Sequence, residues 1–300
     1  LVPTLGVLWV DYVQAYMGDA RGTFINRNHF AGFIEMLWPL FLGFTLSQGG
    51  WGQGYTLKKL LASERLNRQA LFSLGIVVLL LALLFSRSRG GIAGALMGFL
   101  TFVILARSGS KSMSRYTWLV LGGIVGMLVV YSMAIGIGPV ADRFFTLRSG
   151  DSRLDFWRDS LSIIKDHPLG IGLRNYEKVF PVYNVSNLSN KIIDYAHNDY
   201  LQLLIEAGWI GFTEVLTGFS IFMVKSAFRI KHMNPHKDPM RFFLAVGAFS
   251  GLVSLAFHSF FDFNLQIPAN CVYFVTLMAI LCACCGLETQ NRAQSSRLKD

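Results

Sequence analysis

The tripeptide His197-Asn198-Asp199 stands where a polar stretch, residues 140–197, runs back into an apolar one. Histidine takes and returns a proton near neutral pH without help from its surroundings, so a histidine at such a border is a candidate general base. Asn198 and Asp199 can orient its imidazole or bind hydroxyls, and Tyr195 and Tyr200 offer flat faces to a sugar ring. The bland alternative is a histidine that packs the junction. A second candidate is Ser86-Arg87-Ser88-Arg89-Gly90-Gly91, which joins two apolar segments with almost no loop and so holds Arg87 and Arg89 at a membrane edge. The planar guanidinium fork suits bidentate phosphate contacts, and glycines let the backbone come close, which makes this turn a candidate anion site. Arginines snorkelling from helix ends are the other reading. Arg153 is the third candidate. It follows Ser152, the expected N-cap of a short helix, where free N–H groups and the helix dipole already favour an anion. A cation there disfavours the helix by roughly a few tenths of a kcal/mol. A bound anion accounts for it, and so does a solvated arginine paired with Asp151 or Asp155.

These residues must be carried by membrane-spanning helices. The chain is 53% hydrophobic and 15% charged, and its apolar residues come in blocks. Residues 77–85 read VVLLLALLF, with no polar face at helical or strand spacing. A helix apolar all round belongs in lipid or in a large core. Blocks near 30–46, 70–86, 90–106, 117–138, 199–224, 242–260 and 267–287 predict an all-α polytopic transmembrane helix bundle of about seven helices. The expected divisions are an outer segment at 1–29 that includes the end of a preceding helix, four spanning helices in 30–139, one large, partly helical loop at 140–198, three more in 199–287, and a tail at 288–300. Residues 1–10 look like the end of an earlier apolar segment, so a longer protein is expected. Within the loop, Leu154, Trp157, Leu161 and Ile164 form one apolar face of a helix that His167-Pro168 should stop near Asp166. That face is expected on the outside of the bundle or at the membrane interface. Residues 173–180 predict a further helical turn, and 181–196 the most mobile part.

The net charge of +9 suggests nucleic acid until it is located. Lys58, Lys59, Arg65 and Arg68 lie in one connection, Arg107, Lys111 and Arg115 in another, and Lys225, Arg229, Lys231, Lys237 and Arg241 in a third. Every second connection is basic, as the positive-inside rule requires of cytoplasmic loops. Residues 140–199 hold eight basic and eight acidic residues and belong outside. The charge therefore describes orientation, and no nucleic-acid partner is expected.

Several other residues invite chemistry. Glu35, Glu206 and Glu214 lie within apolar blocks, where a carboxylate costs roughly 2.5–3.5 kcal/mol at mid-membrane, so each should face the bundle interior. His258 and Asp262 stand four apart and form a possible metal pair, although a hydrogen-bonded polar contact is the favoured reading. Gly94 with Gly98 and Gly122 with Gly126 have spacings that let helix backbones approach. Cys271, Cys282, Cys284 and Cys285 are expected as small packing residues. Asn184-Val185-Ser186 and Asn187-Leu188-Ser189 match a glycosylation acceptor pattern that matters only in a secretory pathway.

Three stretches resemble a known family. They are Ser88-Arg89-Gly90-Gly91 opening an apolar helix; Ser152-Arg153 through Trp157, leading to His167-Pro168-Leu169-Gly170-Ile171-Gly172; and Ala196-His197-Asn198-Asp199-Tyr200-Leu201, ending in Glu206-Ala207-Gly208-Trp209-Ile210-Gly211. Their order and spacing resemble the O-antigen ligase and polymerase superfamily of bacterial inner-membrane glycosyltransferases. Gly22-Thr23-Phe24 with Asn26 and Asn28 resembles the family's preceding outer segment. The resemblance implies a periplasmic active site that takes glycan from undecaprenyl diphosphate and needs neither metal, ATP nor another cofactor. The acceptor would be lipid A–core, another repeat unit or a protein. The family's loop histidine falls on His197 and its two diphosphate-binding arginines on Arg89 and Arg153. Beside these, Arg87, Asn28, Tyr195, Asn198 and Asp199 are expected as substrate contacts. A transporter for a small anion or glycan is the alternative, but a transporter keeps its key charges at the midplane. An inert scaffold in envelope assembly is a third reading.

Overall fold

The computed structural model describes residues 18–48, 64–108, 115–135, 153–185 and 194–287. These form nine α-helices: α1 (Arg27–Ser47), α2 (Glu64–Phe85), α3 (Arg89–Ser108), α4 (Arg115–Ile135), α5 (Arg153–Asp166), α6 (Tyr176–Tyr183), α7 (Asp199–Lys231), α8 (Pro239–His258) and α9 (Pro268–Cys285). A 3-10 turn, Asn264–Gln266, links α8 to α9. No strand occurs among the described residues. The helices α1, α3, α7, α8 and α9, and α2 from Arg68 onward, are long and apolar enough to cross a membrane, and α4 holds a shorter apolar stretch, Leu121–Val130. The polytopic helical bundle expected from the apolar blocks is therefore present. Its limits differ most at α2, which starts at Glu64 rather than near 70, and at α7, which runs on to Lys231. The expected N-cap Ser152 and half of the stretch expected to be mobile lie outside the described residues, as do the tail and the first seventeen positions.

Helix α8 is the centre of the bundle, with α1, α3 and α9 packed on it. Lipid tails are as apolar as leucine, so helices associate in a membrane through close van der Waals contact rather than by escape from water. The sequence meets this with glycine. A methyl group added at Gly43 would meet the carbonyl oxygen of Phe243. One at Gly247 would lie 2.5 Å from the Pro39 carbonyl oxygen, and one at Gly251 2.7 Å from that of Met36. Gly94 and Gly98 approach the backbone of Ser254 and Ser250 in the same way. Gly122 and Gly126 do not, because nothing among the described residues lies within 4 Å of a methyl group built there.

A second core stands apart from the first. Ile163 and Ile164 of α5, Tyr176 and Phe180 of α6, and Ala196 and Ile205 pack together, with Trp157 at their edge. The apolar face of α5 is thus turned onto α6 and α7, not outward from the bundle. It is also rotated from the expected stripe, since Leu161 is 58% exposed. The reason is Ser160, which is buried and bonds the Tyr176 hydroxyl at 2.8 Å, so the inward face runs through Trp157, Ser160 and Ile163–Ile164.

A backbone joint fixes this outer layer to the bundle. Within α7, Gly208 has φ 67° and ψ −177°, which breaks the helical hydrogen-bond ladder. The chain of residues 168–172 docks into the break. Ile171 and Gly172 donate to the carbonyls of Ile205 and Glu206 at 3.0 Å each, and Trp209 donates to Pro168 at 3.0 Å. Gly170 and Gly208 face each other with no room for a Cβ on either. The freed carbonyls are thus satisfied, as buried backbone groups must be. Beyond Gly208 helix α7 is largely exposed, and so is Glu214, contrary to the expectation that it faces inward.

Overpacking the α1–α8 contact should cost roughly 1–3 kcal/mol. Gly247→Val is therefore expected to lower the apparent Tm in detergent, while Gly122→Val leaves it near the wild-type value. Equal effects at the two positions would contradict this account of the packing.

Candidate functional site

One end of the bundle gathers the start of α1, the α2–α3 turn, residues 194–199, and the chain from the end of α8 through the 3-10 turn. The Asp262 carboxylate lies at its centre and is 1% exposed. Its Oδ2 accepts from Asn28 Nδ2 at 2.6 Å. Its Oδ1 accepts from the Phe263 N–H at 2.9 Å and lies 3.4 Å from His197 Nδ1 and 3.8 Å from His29 Nε2. Burial alone would raise the Asp262 pKa. The imidazoles of His197 and His29 beside it, with His258 nearby, outweigh it and hold this carboxyl well below the usual carboxylate range. Asp262 is thus a fixed anion facing two imidazoles.

His197 keeps 32% of its side chain exposed, so it joins a buried carboxylate to the open face. Its backbone has φ 51°, the left-handed region. A non-glycine residue there costs about 1–3 kcal/mol and persists only where its surroundings over-determine it. Phe263 supplies part of that surrounding: Tyr195 stacks on it at 4.3 Å, and the rings of His197 and His29 meet it near edge-on at 4.8 and 4.6 Å. One face of Tyr195 is thereby used within the protein. The two residues after His197 are also occupied. The Asn198 side chain caps α7 by accepting from the N–H groups of Tyr200 and Leu201. Asp199 is buried and accepts from Ser259 Oγ at 2.8 Å and from the Leu265 N–H at 3.0 Å. Tyr200 donates its hydroxyl to the Ala256 carbonyl and packs on Phe260.

The arginines divide. Arg87 Nε lies 3.0 Å from Asp19, its Nη2 donates to the Gly18 carbonyl at 2.8 Å, and Arg27 binds the other oxygen of Asp19. The anion beside Arg87 is one the chain supplies. Arg89 opens α3 and is partly exposed, while Arg153 opens α5 with a side chain outside the described residues. Both helices pack against α7. The glycines after Arg89 do not open toward an anion. A Cβ at Gly90 would meet the His258 ring and one at Gly91 the Ala31 methyl.

His258 and Asp262 are not a pair. Helix α8 ends at His258, with Ser259 as its C-cap, so the four-residue spacing no longer shares a face. His258 Nδ1 contacts Glu35 at 2.9 Å inside the bundle. No group of three or more His, Cys, Asp or Glu side chains among the described residues is placed to hold a metal ion. Glu206, buried as expected, accepts from Gln202 Nε2 at 2.6 Å. Sequence reasoning missed Asp262 as the partner of His197, and Asp19, His29 and Phe263 altogether. The signal that existed was the polar break Asp262-Phe263-Asn264 between two apolar blocks.

The fold and this end face define a polytopic helical membrane protein with a histidine–carboxylate pair at one membrane edge. Residues 74–216 match the family model described as O-antigen ligase, so just under half of the chain is similar to that family. The matched segment contains Arg89, Arg153 and His197 but ends before Asp262. The match supports, at family level, a membrane glycosyltransferase type of activity between a lipid-linked glycan and an acceptor. No curated protein matches the chain.

The depressed pKa of Asp262 carries a sign. Its stabilising contribution is present above the unfolded carboxyl value, about 4, and is lost as pH falls through the lower folded value. Asp262→Asn should lower the apparent Tm at pH 7, with the gap to wild type narrowing below about pH 4. A gap that widens on acidification would show that the carboxylate does not stabilise this face.

Proposed function

We propose that the protein transfers a glycan from undecaprenyl diphosphate to an acceptor hydroxyl at the outer face of the bacterial inner membrane, with inversion at the anomeric carbon. The observation that carries this reading is the His197 imidazole, partly exposed and backed by the buried Asp262. Asp262 faces Nδ1 and favours the tautomer with its proton there, leaving Nε2 as the base. Nε2 takes the acceptor hydroxyl proton as the oxygen bonds to the anomeric carbon. The bond from that carbon to the diphosphate oxygen breaks, and its electron pair leaves with the diphosphate. Arg89 and Arg153 stabilise the charge growing on that leaving group. Arg87, fixed by Asp19, supports the α2–α3 turn from which Arg89 starts. Asn28, Asn198 and Asp199 position the face, and the free side of Tyr195 remains for a sugar ring.

A general base contributes typically about 10²–10⁴-fold. In nanodiscs with purified lipid-linked donor, His197→Gln is expected to lose transfer by about that factor while still binding donor. Arg89→Lys should impair transfer and Arg89→Ala abolish it, because the planar fork counts as well as the charge. Added chelator should leave the wild-type rate unchanged. Wild-type turnover by His197→Gln would remove the base role, and inactivation by chelator would point to a metal enzyme.

A further inference from the structure

His197 is held in a left-handed conformation by something other than its own preference, and the two peptide groups that flank Ala196 show what does so. The Ala196 carbonyl, which shares a peptide plane with the His197 nitrogen, accepts from the Trp157 indole N–H at 2.9 Å. The Ala196 N–H donates to Gln202 Oε1 at 2.8 Å. The Gln202 amide is itself fixed, since its Nε2 donates to Glu206 at 2.6 Å. Ala196 is fully buried in the α5–α6–α7 core, and Gln202 is buried beside it. Both planes leading into His197 are therefore pinned by side chains from two different helices. Trp157 lies one helical turn beyond Arg153, and Gln202 one turn into α7.

We propose that Trp157 and Gln202 are positioning residues: together they clamp the Ala196 peptide planes, hold the His197 ring against Asp262, and tie the helix that starts with Arg153 to the base. This rests on the reading of His197 as general base. Neither residue touches substrate. Their contribution is orientation, and a small misplacement of a reacting group costs up to about 100-fold in rate. The link also explains why a short helix far from α7 in sequence belongs to the site. It carries one hydrogen-bond donor to the base's own peptide group and, one turn earlier, an arginine at its positive end.

The test is a double-mutant cycle in the full-length protein in nanodiscs, read as kcat, donor KM and apparent Tm. Trp157→Phe keeps the ring in the core and removes only the N–H. Gln202→Met keeps the volume and removes both the acceptor for Ala196 and the donor to Glu206. Each is expected to lower kcat roughly 10- to 100-fold with donor KM near wild type and with the kcat loss unrelated to the size of any Tm loss. In the His197→Gln background, Trp157→Phe should produce no further loss, since there is no base left to orient. A wild-type kcat in both single variants, a proportional loss in both backgrounds, or a kcat loss that tracks a loss of Tm across the variants each overturns the clamp. These outcomes are separable from failure of the base itself. Full turnover by His197→Gln overturns both readings, whereas an inactive His197→Gln beside fully active Trp157→Phe and Gln202→Met overturns the clamp alone.

Discussion

The Asp262 carboxylate organises the end of the bundle that bears the candidate site. A buried anion at a membrane edge needs compensation from every side, and four groups from three parts of the chain supply it. Asn28 and His29 come from the start of α1, His197 from the loop before α7, and the Phe263 N–H from the chain that turns toward α9. The main-chain carbonyl of Asp262 accepts from the Asp199 N–H, and Asp199 in turn binds Ser259 and Leu265. Removing one partner from such a network leaves another group buried and unsatisfied, at about 1–3 kcal/mol or more for charged groups. Electrostatic satisfaction and the placement of His197 are thus one requirement rather than two.

Two solvents divide the rest of the work. Where the helices cross the membrane, close backbone contact at Gly43, Gly247 and Gly251 replaces the hydrophobic effect. Where α5 and α6 stand beyond the spanning segments, water drives burial of Ile163, Tyr176 and Phe180 at roughly 1.5–3 kcal/mol for each large side chain. The joint at Gly170 and Gly208 couples the two regions. Backbone-to-backbone contact there leaves no room for adjustment, so α5 is fixed in orientation to α7, and Arg153 and His197 sit at the ends of rigidly joined elements.

Much of the fold was legible because lipid imposes a simple pattern. Residues 77–85 have no polar face, and a span is the direct reading. Helix α5 was legible from its periodicity and from His167-Pro168 at its end. Its inward face was not, because Ser160 turns inward only through a hydroxyl on α6 that the local pattern does not show. The site followed the same division. His197 stood out by chemistry and position. Asp262 was set beside His258 because a helix was assumed to continue, whereas α8 stops at His258 and the next residues turn away. The contact of Arg87 with Asp19 joins residues far apart in the chain, with no local signal to announce it. Glu214 was expected inside on energetic grounds that hold for a straight helix packed on its bundle, and the break at Gly208 removes that premise. The two glycine motifs at 167–172 and 206–211 were visible as separate stretches, but only their contact shows that each needs the other.

The central claim is that His197, backed by Asp262, accepts the acceptor's proton. The pH dependence of single-turnover glycan transfer, measured in nanodiscs for wild type and for the residual rate of His197→Gln, tests it most directly. A base must be unprotonated to act, so the account predicts a wild-type rate that rises tenfold per pH unit on its acid limb, with that limb absent from the residual rate. An identical acid limb in both proteins would contradict it.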